Sequence, residues 1–197
     1  MTKTIKQLLI ANRGEIAIRV MRAASELGLR TIAIYSTEDR FSLHRSKADE
    51  AYLVGSDKGP IDAYLDIADV LRIAHDARAD AIHPGYGFLS ENPDFASECE
   101  RAGIIFVGPT ADTLRLLGNK VSARALATKA GVPVMPATRP LPPAMEDCEK
   151  LAKDIGYPLM LKASWGGGGR GMRVIESASQ LAELLPVARR EAKAAFG

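Results

Sequence analysis

The chain has 197 residues, 47 % of them apolar and 25 % charged, with a formal net charge of +2. A chain of that length buries roughly 70 % of its unfolded surface in one large domain or two small ones, and the composition excludes a disordered or fibrous class. The basic residues are scattered, so neither a nucleic-acid stripe nor a membrane-surface face is implied, and a small-molecule partner is expected. Cys99 and Cys148 stand far apart without a CxxC partner or clustered histidines, which points to reduced thiols rather than disulfides or zinc. The start, MTKTIKQLLIANRGEIA, enters an apolar strand without the apolar core and cleavage site of a leader, and no run approaches the ~20 apolar residues of a membrane span. The expected location is the cytoplasm, or the mitochondrial matrix if the source is eukaryotic.

Gln7 to Ala11 reads as a short buried strand, and Gly14 opens a helix with Ile16, Ala17, Val20, Met21, Ala24 and Leu27 at spacings of three and four, ended by Gly28. Thr31 to Tyr35 is a second strand, so the first thirty-five residues form a βαβ unit, which implies a parallel sheet with a right-handed crossover. The alternation continues through a strand at Ala51 to Val54, a helix at Ile67 to Ala77, a strand end at Ala81 to His83, a helix at Phe95 to Ala102 and a strand at Ile104 to Val107. This predicts an α/β domain with an open, doubly wound, Rossmann-like parallel sheet over residues 1–118. Its ligands should gather at the carboxyl strand ends, at Asn12, Ser36, His83 and Gly108.

From Thr110 to Ala130 two helical pieces lead into VPVMPATRPLPP, which holds five of the eleven prolines. Proline lacks a donor and fixes φ, so residues 119–140 read as a helical and proline-rich connector. Residues 141–197 change pattern: a helix from Met145 to Ile155, the strand YPLMLKA, a glycine loop, the strand MRVI, and a helical stretch interrupted by Pro186. Two strands are too few for a complete sheet. The expectation is an incomplete α+β domain, the chain stopping inside it.

Four segments carry chemistry. In KASWGGGGRGMR, Lys162 ends a strand, Gly166 to Gly169 run without interruption and Met172 starts the next strand. Four glycines lose much conformational entropy on folding and have no side chain to pack. Backbone N–H groups cradling phosphate oxygens, with the lysine supplying a compact positive charge, would offset that loss. A flexible hairpin loop is the alternative, and a Walker loop is excluded because no GK[ST] follows the glycines. In GNKVSAR, Lys120 starts a helix, where a solvated surface lysine is the plain reading. IHPGYGFLSEN places His83, Tyr86 and Glu91 in a loop at the ligand edge of the sheet, although a lone histidine there also fits a purely structural role. ANRGEIAIR stands where a dinucleotide fingerprint would, but with one glycine instead of three, which argues against an NAD site.

These four segments, in this order and spacing, resemble the biotin carboxylase component of biotin-dependent carboxylases, a member of the ATP-grasp superfamily. The resemblance covers essentially the whole chain. GPIDAYLDI, PATRPLP and the tryptophan of the glycine loop are most similar to the pyruvate carboxylase type, with acetyl-CoA, propionyl-CoA and urea carboxylases as alternatives. Two other classes stay open: a different ATP-grasp ligase of the carbamoyl-phosphate or purine type, which differs in the HPGYGFLSEN loop, and a nucleotide-binding module without catalysis.

The resemblance implies a pre-ATP-grasp domain followed by part of an ATP-grasp lid. It implies ATP-dependent carboxylation, by bicarbonate with Mg²⁺, of a biotin borne on a carrier domain, after which a carboxyltransferase domain passes the carboxyl group to pyruvate, giving oxaloacetate. By motif match Lys120 and Lys162 contact the nucleotide phosphates, Gly168 and Gly169 belong to a mobile lid, and Met172 lies near the adenine. Tyr86 and Glu91 are further candidates, and Arg19 on the first helix would serve a contact between subunits of a homo-oligomer. The family's metal-binding glutamates and its groups for bicarbonate and biotin are expected after Gly197, so no catalytic or metal-binding residue is assigned within the chain.

Overall fold

The computed structural model describes residues 4–162 and 172–196. Two compact units divide the chain, Met1–Arg115 and Leu116–Gly197.

In the first unit the strands β1 (Gln7–Ile10), β2 (Arg30–Tyr35), β3 (Glu50–Leu53), β4 (Ala81–His83) and β5 (Ile105–Phe106) form one sheet in the order β3-β2-β1-β4-β5, every pair parallel. The strands read as continuous apolar runs because helices cover both faces. Alternation then sorts their side chains. Leu8, Ile10, Ala33 and Ala81 pack with Ala17, Val20, Met21 and Ala24 of α1 (Gly14–Glu26). On the other face, Leu9, Ala11, Ile32, Ile34 and Ile82 join a larger core.

Between β2 and β3 the chain makes a 3-10 turn at Glu38–Phe41 and the five-residue helix α2 (Leu43–Lys47), neither of which the sequence pattern predicts. One turn is too short for a 3.6-residue period to be read. The larger core is completed by Val70, Ile73 and Ala74 of α3 (Ile67–Asp76) and by Phe95 and Cys99 of α4 (Pro93–Arg101). Helix α3 is capped by the Asp66 side chain, which accepts from the Asp69 amide at 3.2 Å. Helix α4 starts at Pro93, two residues before the Phe95 expected from periodicity. Pro93 takes a first-turn position, where its missing donor costs nothing, and Asn92 Oδ1 accepts from the amides of Asp94 and Phe95, both at 2.9 Å.

His44 of α2 is fully buried, and its Nε2 donates to the Ile34 carbonyl at 3.1 Å, while Nδ1 finds no partner among the described residues. Burial holds its pKa below the ordinary 6.5. The unfolded chain therefore binds a proton more readily than the folded one, and stability falls as pH drops below about 6.5, the ordinary histidine value. Thermal melts at pH 7.5 and 5.5 should show a smaller difference for His44→Gln than for the parent; an equal difference would assign the acid sensitivity to other groups.

Helix α5 (Ala111–Gly118) crosses the division between the units. The second unit continues with α6 (Lys120–Lys129), capped by Asn119 Oδ1 on the amides of Val121 and Ser122, and α7 (Met145–Ile155). The strands β6 (Leu159–Leu161) and β7 (Arg173–Ile175) pair antiparallel, and α8 (Ala178–Phe196) follows. Its core is Cys148, Ala152, Leu161, Ile175, Leu181 and Leu185. Pro186, expected to interrupt the last helix, lies inside α8 instead. The carbonyl its ring leaves without a donor belongs to Ala182, an exposed residue that solvent can reach, and buried Leu181 and Leu185 hold the helix to its core on both sides of that turn.

Candidate functional site

The sheet order reverses at β1, whose neighbours are β2 on one side and β4 on the other. In a doubly wound sheet this opens a crevice at the carboxyl ends of the two strands. Here the crevice is closed by the protein itself. Asn12, 3 % exposed, donates from Nδ2 to the carbonyl oxygens of Pro84 (2.6 Å) and Tyr86 (2.9 Å), and its Oδ1 accepts from the Arg13 amide at 2.9 Å. Gly85 lies between the two gripped carbonyls with φ +66°, and a Cβ on it would stand 2.7 Å from Asn12 Nδ2. The Gly85 amide donates to His83 Nδ1 at 3.0 Å, and burial lowers the His83 pKa, so the ring is a neutral acceptor there.

Arg13 continues the contact. Its guanidinium lies 5.7 Å from the Tyr64 ring centre and 5.8 Å from that of Phe88, and pairs with Asp39 at 3.1 Å. The Tyr64 and Phe88 rings stack at 5.0 Å. The Tyr64 hydroxyl donates to Asp39 Oδ2 at 2.8 Å and accepts from the Ser36 amide at 3.2 Å. Burial alone would raise the Asp39 pKa, yet hydrogen bonds from Tyr64, Ser42 and Arg13 together outweigh it and hold the carboxyl below its ordinary range. Burial and the Asp39 carboxylate push the Tyr64 phenol well up, so this group acts as a fixed donor.

Tyr86 and Glu91 ride on the loop so held. Tyr86 is 63 % exposed, with its hydroxyl 3.3 Å from Glu15 Oε2, and Glu91 is also exposed. Arg19, the expected subunit-contact residue, is exposed on α1 and pairs with Glu15 at 3.4 Å. A cleft of about 530 Å³ opens beside β5, but its one cation, Arg115, is already engaged by Asp94, Asp112 and Ser97.

In the second unit, Met160 pairs with Val174 and Leu161 with Arg173, and Lys162 and Met172 directly flank the two strands. Strand alternation sets Met160 and Val174 on one face. That face is open, with Met160 50 % and Val174 51 % exposed, while Leu161 and Ile175 are buried beneath it; Met172 is 50 % exposed. Lys162 and Met172 are candidates that the sequence offers separately; the half-exposed pair Met160 and Val174 beside them is not. The alternation in PLMLK was the signal that could have found Met160. Lys120 is the first residue of α6 and exposed. Gly168 and Gly169, and the rest of the glycine run, lie outside the described residues. Among the described residues no three His, Cys, Asp or Glu side chains converge as a metal site, and no helix is long and apolar enough to cross a membrane.

Comparison with known proteins gives these features a family. The model for "Biotin carboxylase, N-terminal domain" matches residues 4–114, and that for "Carbamoyl-phosphate synthase L chain, ATP binding domain" matches residues 119–197. The pyruvate carboxylase of Bacillus subtilis is 55 % identical over 195 residues, 99 % of this chain and 17 % of that protein. The Rhizobium etli pyruvate carboxylase T882A structure with acetyl coenzyme A is 59 % identical with a TM-score of 0.88, over 99 % of this chain and 17 % of that one. The biotin carboxylase domain of Hydrogenobacter thermophilus 2-oxoglutarate carboxylase, solved with MgADP, ADP and bicarbonate, is 44 % identical with a TM-score of 0.92, covering all of this chain and 43 % of that one. The chain thus spans about a sixth of the length of its pyruvate carboxylase relatives. With the N-terminal domain model matching over half of its residues, this chain belongs to the biotin carboxylase family.

Proposed function

We propose that this chain holds ATP for the carboxylation of a carrier-bound biotin by bicarbonate, the first half-reaction of a biotin-dependent carboxylase of the pyruvate carboxylase type. The observation that carries this reading is the open apolar face of β6 and β7, where Met160 pairs with Val174 and half-exposed Met172 and exposed Lys162 directly flank the strands, a flat platform on which a ring could rest. The adenine would rest on the apolar side chains. Lys162 and Lys120 would hold the phosphates as point charges, and the backbone of Gly168 and Gly169 would close over them. Tyr86 and Glu91, on the exposed loop of the first unit, are the further candidates that the family resemblance supplies.

A bound Mg²⁺ would neutralise charge on the phosphates during transfer; the described residues offer no cluster of three His, Cys, Asp or Glu side chains to hold it alone. The biotin carrier and carboxyltransferase domains are the proposed partners, with oxaloacetate from pyruvate as the product and the α1 face around Arg19 as a subunit contact. The place of action is the cytoplasm, or the mitochondrial matrix in a eukaryote. The likeness to the Hydrogenobacter domain, solved with MgADP and bicarbonate, and to the Rhizobium pyruvate carboxylase supports the choice among ATP-grasp ligases.

The test is phosphate release from MgATP with free biotin, with and without bicarbonate. The full-length polypeptide should release phosphate faster with bicarbonate and make oxaloacetate when pyruvate is supplied. Residues 1–197 alone should show no bicarbonate-dependent release. No bicarbonate effect in the full-length protein would leave a nucleotide-binding module as the function, and bicarbonate-dependent turnover by residues 1–197 would show that the metal-binding groups lie within them.

A further inference from the structure

The first turn of a doubly wound sheet ordinarily receives the phosphate of a ligand. In this protein the side chains of that turn, Asn12 and Arg13, are engaged by the protein itself, both of them with the loop of residues 84–92 and Arg13 also with Asp39 and Tyr64. Both donors of Asn12 go to carbonyls two residues apart, Pro84 and Tyr86, at 2.6 and 2.9 Å, and the side chain is buried. Gly85 meets it so closely that no Cβ fits without displacement. Phe88, three residues on, has φ +42°, a conformation that a bulky side chain adopts at a cost. Its ring stacks on the Tyr64 ring, and the Arg13 guanidinium, which Asp39 anchors, lies against both rings.

A strained residue persists only where its surroundings over-determine it, and such residues cluster where geometry serves chemistry. The second positive-φ residue without a glycine's freedom, Arg78, has a local explanation: it follows the end of α3, where a left-handed residue commonly closes a helix. Phe88 closes no helix. It lies inside the turn in which the Ser90 amide donates to the Gly87 carbonyl at 2.9 Å, a position that ordinarily takes glycine or asparagine, and the turn bends the chain between Tyr86 and Glu91.

We propose that the Asn12–Arg13 turn is a positioning element for the carboxylation half-reaction, fixing the loop of residues 84–92 so that Tyr86 and Glu91 are presented in one geometry before substrates arrive. This rests on the function proposed above. A preset loop spares the reaction the ordering of two reacting-end groups, so its loss is felt in turnover rather than in nucleotide binding. Asn12 supplies the grip at the start of the loop and Arg13 the wall at its middle. Neither touches a substrate in this assignment.

The experiment uses the full-length polypeptide with four variants: Asn12→Ala, Gly85→Ala, Arg13→Lys, which keeps the charge facing Asp39 but loses the flat guanidinium against Phe88, and the double Asn12→Ala/Gly85→Ala. Asn12→Ala should lower kcat for bicarbonate-dependent ATP cleavage about tenfold or more, while KM for ATP stays within about twofold. Hydrogen exchange at the Gly85, Ser90 and Asn92 amides should quicken about tenfold with the strand amides of β1 and β2 unchanged. Gly85→Ala should cost less in the Asn12→Ala background than alone, because the side chain it would strike is gone. If Asn12→Ala fails to fold, Gly85→Ala and Arg13→Lys give the same readings.

Faster loop exchange with unchanged kcat overturns the proposal, as does a rise in KM for ATP that accounts for the whole loss. Tyr86→Phe and Glu91→Gln separate the two levels. If they lower kcat while the turn variants do not, only the positioning inference falls; if they too leave kcat unchanged, the role of the loop in the proposed function falls with it.

Discussion

Lys162→Ala is expected to weaken ATP binding to the full-length protein by about 1–3 kcal/mol, the range for a lost charge-assisted contact. Lys162 is exposed at the end of β6, and Leu161 beside it carries the packing, so the variant should melt with the parent. The loss would therefore be one of binding. Lys120→Ala should act in the same direction, since both lysines are proposed to hold phosphates. Met160→Ala with Met172→Ala removes half-exposed apolar surface from the platform and should lower ATP affinity more than pyrophosphate affinity, because only ATP carries a ring to rest there. Calorimetric titration of each variant with ATP decides this. Unchanged affinity in both lysine variants would remove the nucleotide assignment, and equal losses for ATP and pyrophosphate would move the adenine off this face.

Phe95→Ala should destabilise the first unit by about 3–5 kcal/mol, the cost of emptying a large buried aromatic site. Phe95 is completely buried on α4 and meets Phe106 of β5 edge to face at 5.8 Å. Its backbone amide is also one of the two that Asn92 caps, so the residue ties the core to the end of the loop that carries Tyr86 and Glu91. Denaturant unfolding should show the loss as a lower midpoint with an unchanged slope. Leu27→Ala provides the contrast: this residue is 75 % exposed just past α1, and its replacement should stay within about 0.5 kcal/mol. A loss below about 1 kcal/mol for Phe95→Ala would mean that the neighbouring side chains collapse into the space.

Much of this was readable without coordinates, for reasons that differ along the chain. The βαβ start was legible because Ile16, Ala17, Val20, Met21 and Ala24 recur at helical spacing between two apolar strands, and burial of one helix face and both strand faces is the force that also folds the chain. The lysine and glycine candidates of the second unit were legible because charge beside a glycine run is unusual enough to carry information at one position. Helix α2, the start of α4 and the passage of α8 through Pro186 were not, because caps, single turns and a tolerated proline depend on what one residue meets rather than on a period.

The amino-acid sequence by itself determined the parallel α/β first unit and the change of pattern beyond the prolines, through local periodicity and composition, which are properties of neighbours in the chain. Lys162 stands out beside the glycine run, and Lys120 and Met172 are nucleotide candidates through the family resemblance. Only the tertiary structure decided that Asn12 grips carbonyls more than seventy residues away, that Arg13, Asp39, Tyr64 and Phe88 meet, and that Met160 and Val174 pair across β6 and β7. Those contacts arise where strands β1 and β4 are brought side by side and where β6 meets β7, and hydrogen bonds between residues so far apart leave no repeat in the sequence from which to read them.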